Sequence, residues 1–353
     1  MTSSRARLEI DLASAAAGVL AAIVAFDVMV WLYGESPRAM AVELLRGTWG
    51  TPYGIGQVLF KMTPLLFAGL AVEVAFRAKL FNVGVEGQLA VASLAVGVAG
   101  AHFGGAPRIV AWTALAIVAM AAGALWALGP AVLRARLGAH EVITTIVANR
   151  LSQIGITAAL AAGLAAHGTV RTPDLPAGAR LPRLSAFWDA LSGSAASVAA
   201  PVGVVIVAVA LLLLPRTRFG RELSLLAQNP TACRAERVPV DRRMAEALVL
   251  SGAIAGLGSL GTVLGYKGYY EQGLGAGAGF TGIAVAMLGR GRVVPLVVAA
   301  LLFGTLAQGG LALNAHVPME MMEVLSAIVV VAVAAADRAF RGAGLGGTSA
   351  VRA

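Results

Sequence analysis

Three stretches of this chain, Ile109 to Leu133, Ala247 to Tyr266 and Val293 to Ala315, contain no charged residue. Each is long enough for a helix to cross a hydrocarbon core of about 30 Å, which takes about 20 residues. Lipid offers backbone N–H and C=O groups no water, so such runs form helices rather than open sheet edges or loops. Composition agrees: of 353 residues 58% are hydrophobic and 13% charged, where a soluble domain carries about a quarter charged. The sequence predicts an all-α, polytopic transmembrane helical bundle.

Charge sets the topology. A formal net charge of +9 would suit nucleic acid, yet membrane proteins concentrate Lys and Arg in cytoplasmic loops and no soluble domain is present to carry a basic face. About ten spans satisfy the pattern, near 12–33, 54–76, 80–100, 109–133, 141–165, 198–215, 247–266, 278–289, 293–313 and 319–336. Arg5 and Arg7, Arg77 and Lys79, Arg134 and Arg136, Arg290 and Arg292, and Arg338 and Arg341 then all fall inside, with both termini cytoplasmic. An outer segment with Glu35, Arg38, Glu43 and Arg46 suits a short interfacial helix, and Arg171, Arg180 and Arg183 lie in a long outer loop, where the charge rule is weak.

One membrane domain is expected over 1–343, with an extracytoplasmic loop at 166–197, a cytoplasmic loop at 215–246 and a disordered cytoplasmic tail at 344–353. The cytoplasmic loop holds seven arginines and four acids, the densest basic cluster in the chain. Asp27 interrupts the first apolar run, which resumes to Tyr33 without a cleavage motif, so that run reads as an uncleaved first span rather than a signal peptide. The piece at 278–289 is short and glycine-rich, and reads either as a crossing or as a broken or re-entrant helix covered by protein. Gly252 with Gly256, and Gly261 with Gly265, are spaced four apart, which lets helix backbones approach closely.

Several chemistries are excluded by spacing. None of Lys61, Lys79 or Lys267 follows a phosphate-binding glycine loop, so the chain does not hydrolyse ATP alone. His140 and Glu141 start no zinc-protease motif, because position 144 is Thr144. Cys233 is the single cysteine, which rules out an internal disulfide and a cysteine-based metal site. No metal ligand set and no cofactor site is visible.

The informative residues are therefore polar ones inside apolar surroundings: Asp27, Gln57, Lys61, Glu73, Asn82, Glu86, Gln88, Glu141, Asn149, Arg150 and Gln153. A charge at the bilayer centre costs about 2.5–3.5 kcal/mol even on the lenient insertion scale, so a buried one faces a partner or a cavity. Lys61 and Glu73 lie toward opposite ends of one span and reach the interface by their length. In FNVGVEGQ, residues 81–88, Gly84 and Gly87 bracket Glu86 beside Asn82 and Gln88. A glycine-flanked polar stretch between apolar runs marks an interrupted helix that lines a path. Glu141 and Asn149 are placed to support it from a neighbouring span. A proton-coupled carrier using Asp27, Glu73 or Glu86 is the alternative, whereas an intramembrane enzyme needs a catalytic pair that the spacing does not offer.

LFNVGVEGQLAVASLA resembles the LFNIGVEGQ signature of nucleoside-type ABC importer permeases, the group associated with basic membrane proteins and related to ribose and branched-chain amino acid permeases. AHEVITTIVANRL is similar to their N-E-V-I-x-T-I-M-L-N segment. FGRELSLLAQNPTACRAERVPVDRRMAEALVLSGAIAGLGSL resembles their cytoplasmic loop and following span, GFTGIAVAMLGRGRVVPLVVAALLFGTL their G-F-x-G-I-A-V-A-L-L-G stretch, and RTPDLPAGARLPRL their outer loop. The matches run in order from about 66 to 313. The chain departs from the pattern at Ala227 and Arg237, where glycine is common, at His140, where Asn is common, and at Arg150, where an aromatic is common.

The resemblance implies a transport subunit rather than an enzyme: a permease that carries nucleosides or related purine-like or sugar-like solutes across the bacterial cytoplasmic membrane. It implies an ABC ATPase partner holding ATP and Mg, an extracytoplasmic binding protein, and a second, shorter permease, this chain resembling the longer. The matched segments add Thr145 and Phe280 to Asn82, Glu86, Gln88, Glu141 and Asn149 as substrate-pathway candidates. In the cytoplasmic loop they single out Asn229, Pro230, Ala232, Arg234 and Val238 as the contact with the ATPase, with a short amphipathic helix beginning at Phe219 to Ala227 and another opened by Pro230.

Overall fold

A computed structural model describes residues 20–349, and among these the regular structure is helical, with two isolated β-bridges, Arg171 with Glu271 and Arg183 with Ser197. The helices are α1 (Leu20–Leu32), α2 (Pro37–Thr48), α3 (Pro52–Phe76), α4 (Val85–Gly100), α5 (Arg108–Leu137), α6 (Glu141–Ala159) and α7 (Ala199–Leu213). They continue with α8 (Arg218–Gln228), α9 (Pro230–Ala235), α10 (Val240–Gly256), α11 (Ala278–Gly289), α12 (Val293–Leu313) and α13 (Glu320–Ser349). Helix occupies each stretch expected to cross, although the expected start of the first span and Arg5 and Arg7 lie outside the described residues. Among the described residues five continuous helical stretches qualify as spans by length and apolar character, Pro52–Phe76, Arg108–Leu137, Ala199–Arg216, Val240–Lys267 and Val293–Leu313, or six if the bent pair α1 and α2 counts as one. The count falls short of ten partly because α4 has 16 residues and α11 has 12, about 24 and 18 Å of helix against a core of about 30 Å.

The chain divides into two compact units, 1–54 with 305–353, and 55–304. In the first, α1 turns by 114° into α2. Gly34 takes a left-handed conformation at the bend and Pro37 opens α2, where its missing N–H costs nothing. His316 Nδ1 lies 3.0 Å from Glu35 Oε1, tying the turn between α12 and α13 to that bend. The last helix ends at Ser349, and residues 350–353 of the expected tail lie outside the described residues.

In the second unit α5 and α10 pack backbone to backbone. A Cβ on Gly123 would lie 2.1 Å from the Gly252 carbonyl oxygen, and one on Gly256 would lie 2.1 Å from that of Ala119. The small-residue spacing seen in the sequence is thus an interhelical contact. Beyond Gly256 the chain continues as a π-helical stretch, Leu260–Lys267, closed by left-handed Gly268. The 166–197 segment is strapped onto this stretch: Leu175 N–H donates to Gly268 O (2.6 Å), Thr172 N–H to Tyr270 O (2.9 Å) and Leu181 N–H to Leu264 O (3.0 Å).

Residues 215–246 contain the two short helices expected there, α8 and α9. Thr217 caps α8 and Asn229 caps α9, whose first residue is Pro230. The segment ends inside α10, which begins at Val240, seven residues before the apolar run. Its charged first turns extend the helix beyond the apolar stretch that the sequence marks from Ala247.

Candidate functional site

FNVGVEGQ does not break a longer helix. It is the buried start of α4, separated from the end of α3 at Phe76 by a turn in which Lys79 has φ 54°. Asn82 Oδ1 accepts the Gly84 N–H at 2.9 Å, an Asn side chain imitating a backbone turn, and this stops α4 from growing backward. Asn82 Nδ2 donates to Gln88 Oε1 at 3.0 Å and to Ser251 Oγ on α10 at 2.8 Å. Ser251 Oγ in turn donates to the Ala71 carbonyl on α3 at 2.6 Å. Asn82, Gln88 and Ser251 are fully buried, so each bond replaces one that water would otherwise supply.

From α6, Asn149 grips the same turn on both sides. Its Oδ1 accepts the Gly87 N–H at 2.9 Å and its Nδ2 donates to Val83 O at 2.9 Å. A Cβ on Gly87 would stand 2.8 Å from Ser152 Oγ and 2.9 Å from Asn149 Oδ1, so glycine is what admits α6 this close. Thr145 backs the turn at Gly84 and donates its hydroxyl to Glu141 O at 2.7 Å.

Glu86 reaches across to α11. Its Oε1 accepts the Gly277 N–H and its Oε2 the Gly279 N–H, each at 2.7 Å, and the Phe280 N–H faces the same carboxylate. These belong to the orphan donors at a helix start, where the dipole also favours an anion. Hydrogen bonds to charged groups contribute about 1.5–3 kcal/mol each, so two or three of them offset the insertion cost of about 2.5–3.5 kcal/mol. Gly277 has φ 84°, and a Cβ on Gly279 would lie 2.3 Å from the Glu86 nitrogen. A narrow crevice beside Glu86 is lined by Leu89, Ala90, Gln153, Tyr270 and residues 273–276.

Two of the expected pathway residues stand apart. Glu141 pairs with Arg134 at 3.4 Å, joining the end of α5 to the start of α6 without touching the Asn82 network. Phe280 is 53% exposed, and it is its backbone N–H that faces the carboxylate. Sequence reasoning passed over Ser251, hidden as one small residue among the glycines of α10, and over Gly277 and Gly279 as partners for Glu86.

In the 215–246 segment Asn229 Oδ1 accepts from Thr231 and Ala232 N–H at 3.1 Å, and Val238 packs against a core of Leu223, Leu226, Cys233 and Leu248. Ala232 and Arg234 are exposed, Arg234 lying 3.4 Å from Asp241. Glu222 is the hub: Arg218 Nε lies 2.7 Å from its Oε1 and Arg243 Nε 2.5 Å from its Oε2. Hydrogen bonding from Arg218, and after it from Arg243, holds the Glu222 carboxyl below the usual carboxylate range against the opposing effect of burial. Arg237, where glycine is common in the resembling permeases, has φ 58°, the left-handed region that favours glycine. Among the described residues no group of three His, Cys, Asp or Glu side chains is arranged to hold a metal ion.

The family described as branched-chain amino acid transport system / permease component matches residues 54–334. The guanosine ABC transporter permease protein NupP of Bacillus subtilis (strain 168) is 32% identical over 321 residues, covering 90% of this chain and 91% of that one. The glucose ABC transporter permease protein TsgB13 of Haloferax volcanii is 30% identical over 330 residues, 88% of this chain and 84% of that one. The nucleoside ABC transporter permease protein NupB of Lactococcus lactis subsp. cremoris is 26% identical over 309 residues, 86% and 85% of the two chains. No solved structure matches the chain. With apolar helices fit to cross a membrane and a match over most of its length, the chain belongs to the branched-chain amino acid transport system / permease component family and is the permease subunit of an ABC importer.

Proposed function

We propose that this chain is the longer of two unlike permeases in an ATP-driven importer that takes a nucleoside, or a related purine-like or sugar-like solute, into the cytoplasm. The names of its relatives, for guanosine, nucleosides and glucose, support that solute class. The chain crosses the inner membrane about ten times with both termini cytoplasmic, and it binds no cofactor itself; ATP and Mg belong to the partner ATPase. An extracytoplasmic binding protein delivers the solute.

The observation that carries the pathway reading is the meeting of two short helices, α4 and α11, at their N-termini through Glu86. Discontinuous helices whose ends meet inside the bundle are where membrane transporters place solute. Asn82, Gln88, Asn149 and Thr145 hold the α4 start in shape, Glu141 anchors α6, and Phe280, with its exposed ring, is the side chain of this group that meets solute. Glu86 shapes the junction rather than the solute site. Its oxygens are committed to backbone donors, which also weakens the proton-carrier alternative, since protonation would remove an acceptor. On the cytoplasmic side α9, opened by Asn229 and Pro230 and presenting Ala232 and Arg234, contacts the ATPase, with Val238 seating it.

Isolation from membranes followed by reconstitution tests this. The chain should copurify with an ATPase and a second permease, and solute with its binding protein should stimulate ATP hydrolysis and uptake. Uptake that persists without any ATPase but collapses with the proton gradient would overturn the reading. Thermal-shift screening of the binding protein against nucleosides and sugars names the solute.

A further inference from the structure

We propose that α10 is the rod that carries ATPase-driven movement to the start of α4, with Glu222, Arg243 and Ser251 as its positioning residues. This rests on the coupling role given to α9 above.

The cytoplasmic end of the rod is clamped. Arg243, in the first turns of α10, lies 2.5 Å from Glu222 on α8 and 2.5 Å from Glu246 on its own helix. Beneath this clamp Leu223 and Leu226 of α8, Cys233 of α9 and Val240, Ala247 and Leu248 of α10 share one core. A displacement of α8 and α9 therefore cannot leave α10 behind: the Glu222–Arg243 contact joins α8 to α10, and one apolar core joins all three.

The other end grips the site. Ser251 lies eight residues beyond Arg243 on the same uninterrupted helix, about 12 Å along its axis. Most buried helical serines return their hydroxyl to a carbonyl one turn back in their own helix. Ser251 instead donates to Ala71 on α3 and accepts from Asn82, the residue that shapes the α4 turn. The next residue, Gly252, begins the backbone contact with α5, which Gly256 continues, so α10 moves with α5 as one stiff body instead of bending. A tilt imposed at Glu222 arrives at Asn82 as a shift of the Ser251 hydroxyl, and through the α4 start it reaches Glu86 and α11. Rigid-body motion of packed helices is an established means of switching access.

The test uses the whole importer reconstituted in lipid vesicles with its ATPase, second permease and binding protein. Basal ATP hydrolysis, its stimulation by solute-loaded binding protein, and uptake are measured for the unaltered chain and for Glu222→Gln, Arg243→Gln, the double variant, Ser251→Ala and Ser251→Thr. Expected is unchanged basal hydrolysis with stimulation and uptake reduced about tenfold in Arg243→Gln and Ser251→Ala, within the usual range of coupling between sites. The Glu222 and Arg243 changes should not add, since each removes the same contact, and Ser251→Thr, which keeps the hydroxyl, should retain most stimulation. Stimulation equal to the unaltered chain in Arg243→Gln and Ser251→Ala would overturn the inference. So would an equal loss of basal and stimulated hydrolysis, which marks a merely structural role. An unaltered importer that shows no solute stimulation at all would overturn the importer reading itself, and this inference with it.

Discussion

The start of α4 and the segment at 215–246 both fasten helix ends with polar side chains, but with different chemistry. At α4 the fasteners are neutral amides, a hydroxyl and one carboxylate docked on backbone N–H groups, all buried. At 215–246 they are Arg–Glu and Arg–Asp pairs, with Arg218, Arg234 and Arg242 exposed. Away from water every unmet donor costs its full desolvation, so the buried site is built from bonds that complete one another. Where a pair is exposed its loss is made good by solvent and its strength is screened by salt, so the 215–246 segment tolerates change that the α4 start does not.

The sharpest way to break this contrast is at Glu86. Glu86→Ala leaves the Gly277 and Gly279 N–H groups without their acceptor, at about 1–3 kcal/mol for each buried donor. A large fall in thermal stability in detergent and loss of uptake are expected, with Glu86→Gln milder because one carbonyl oxygen remains. Gly279→Ala should act as strongly by a different route, since its Cβ would overlap the Glu86 backbone. If uptake and solute-stimulated ATP hydrolysis are unchanged in Glu86→Ala, the junction of α4 and α11 has no part in transport.

Next in size are the neutral bonds. Asn149→Ala strips both the Gly87 N–H and the Val83 carbonyl of their partner, and about 1–3 kcal/mol of stability should go with it. Asn149→Asp supplies an acceptor for Gly87 but no donor for Val83, so it should recover only part. Equal stability of all three proteins would show that the turn is held by packing alone.

These residues also show what a sequence can and cannot say. The piece at 278–289 was legible as a short apolar run, and α8 and α9 from the amphipathic stretch at Phe219 to Ala227 and from Pro230. Asn82, Glu86 and Gln88 were legible as a group because polar side chains in apolar surroundings need a reason. Their partners were not. Glu86 meets Gly277 and Gly279, 191 and 193 positions away, and nothing local distinguishes a helix start that awaits a carboxylate from any other glycine turn. Ser251 was lost among small residues whose spacing already had an explanation. The start of α10 at Val240 was not legible, because its first turns are charged and only the apolar run from Ala247 marks a span.

A smaller effect is expected at Glu222, and pH reveals it. The Arg218 and Arg243 guanidiniums hold its folded carboxyl below the ordinary value of 4.5. A depressed carboxylate stabilises the fold above the unfolded value and loses that contribution as pH falls through the folded one. The stability gap between the unaltered chain and Glu222→Gln should be constant near neutral pH and close as the medium is acidified below about 4.5. It should also narrow in high salt, unlike the gap for Asn149→Ala. A gap insensitive to both would mean that the 215–246 segment is held by its apolar core and not by its charges.

The smallest change is Arg237→Gly, where improvement is expected. Arg237 follows α9 with φ 58°, a conformation that costs a residue with a Cβ about 1 kcal/mol or more and glycine almost nothing. Glycine gives part of this back, because its unfolded chain has more freedom to lose, about 0.5–1 kcal/mol. The balance is a gain of a few tenths of a kcal/mol, visible as a slight rise in unfolding temperature. Arg237 is exposed, so no buried partner is left unmet by its removal. Because its charge faces water beside the proposed ATPase contact, the same substitution separates two possibilities. If stability rises while solute-stimulated hydrolysis holds, Arg237 serves only the turn. If stimulation falls while stability rises, its guanidinium is part of the surface that meets the ATPase.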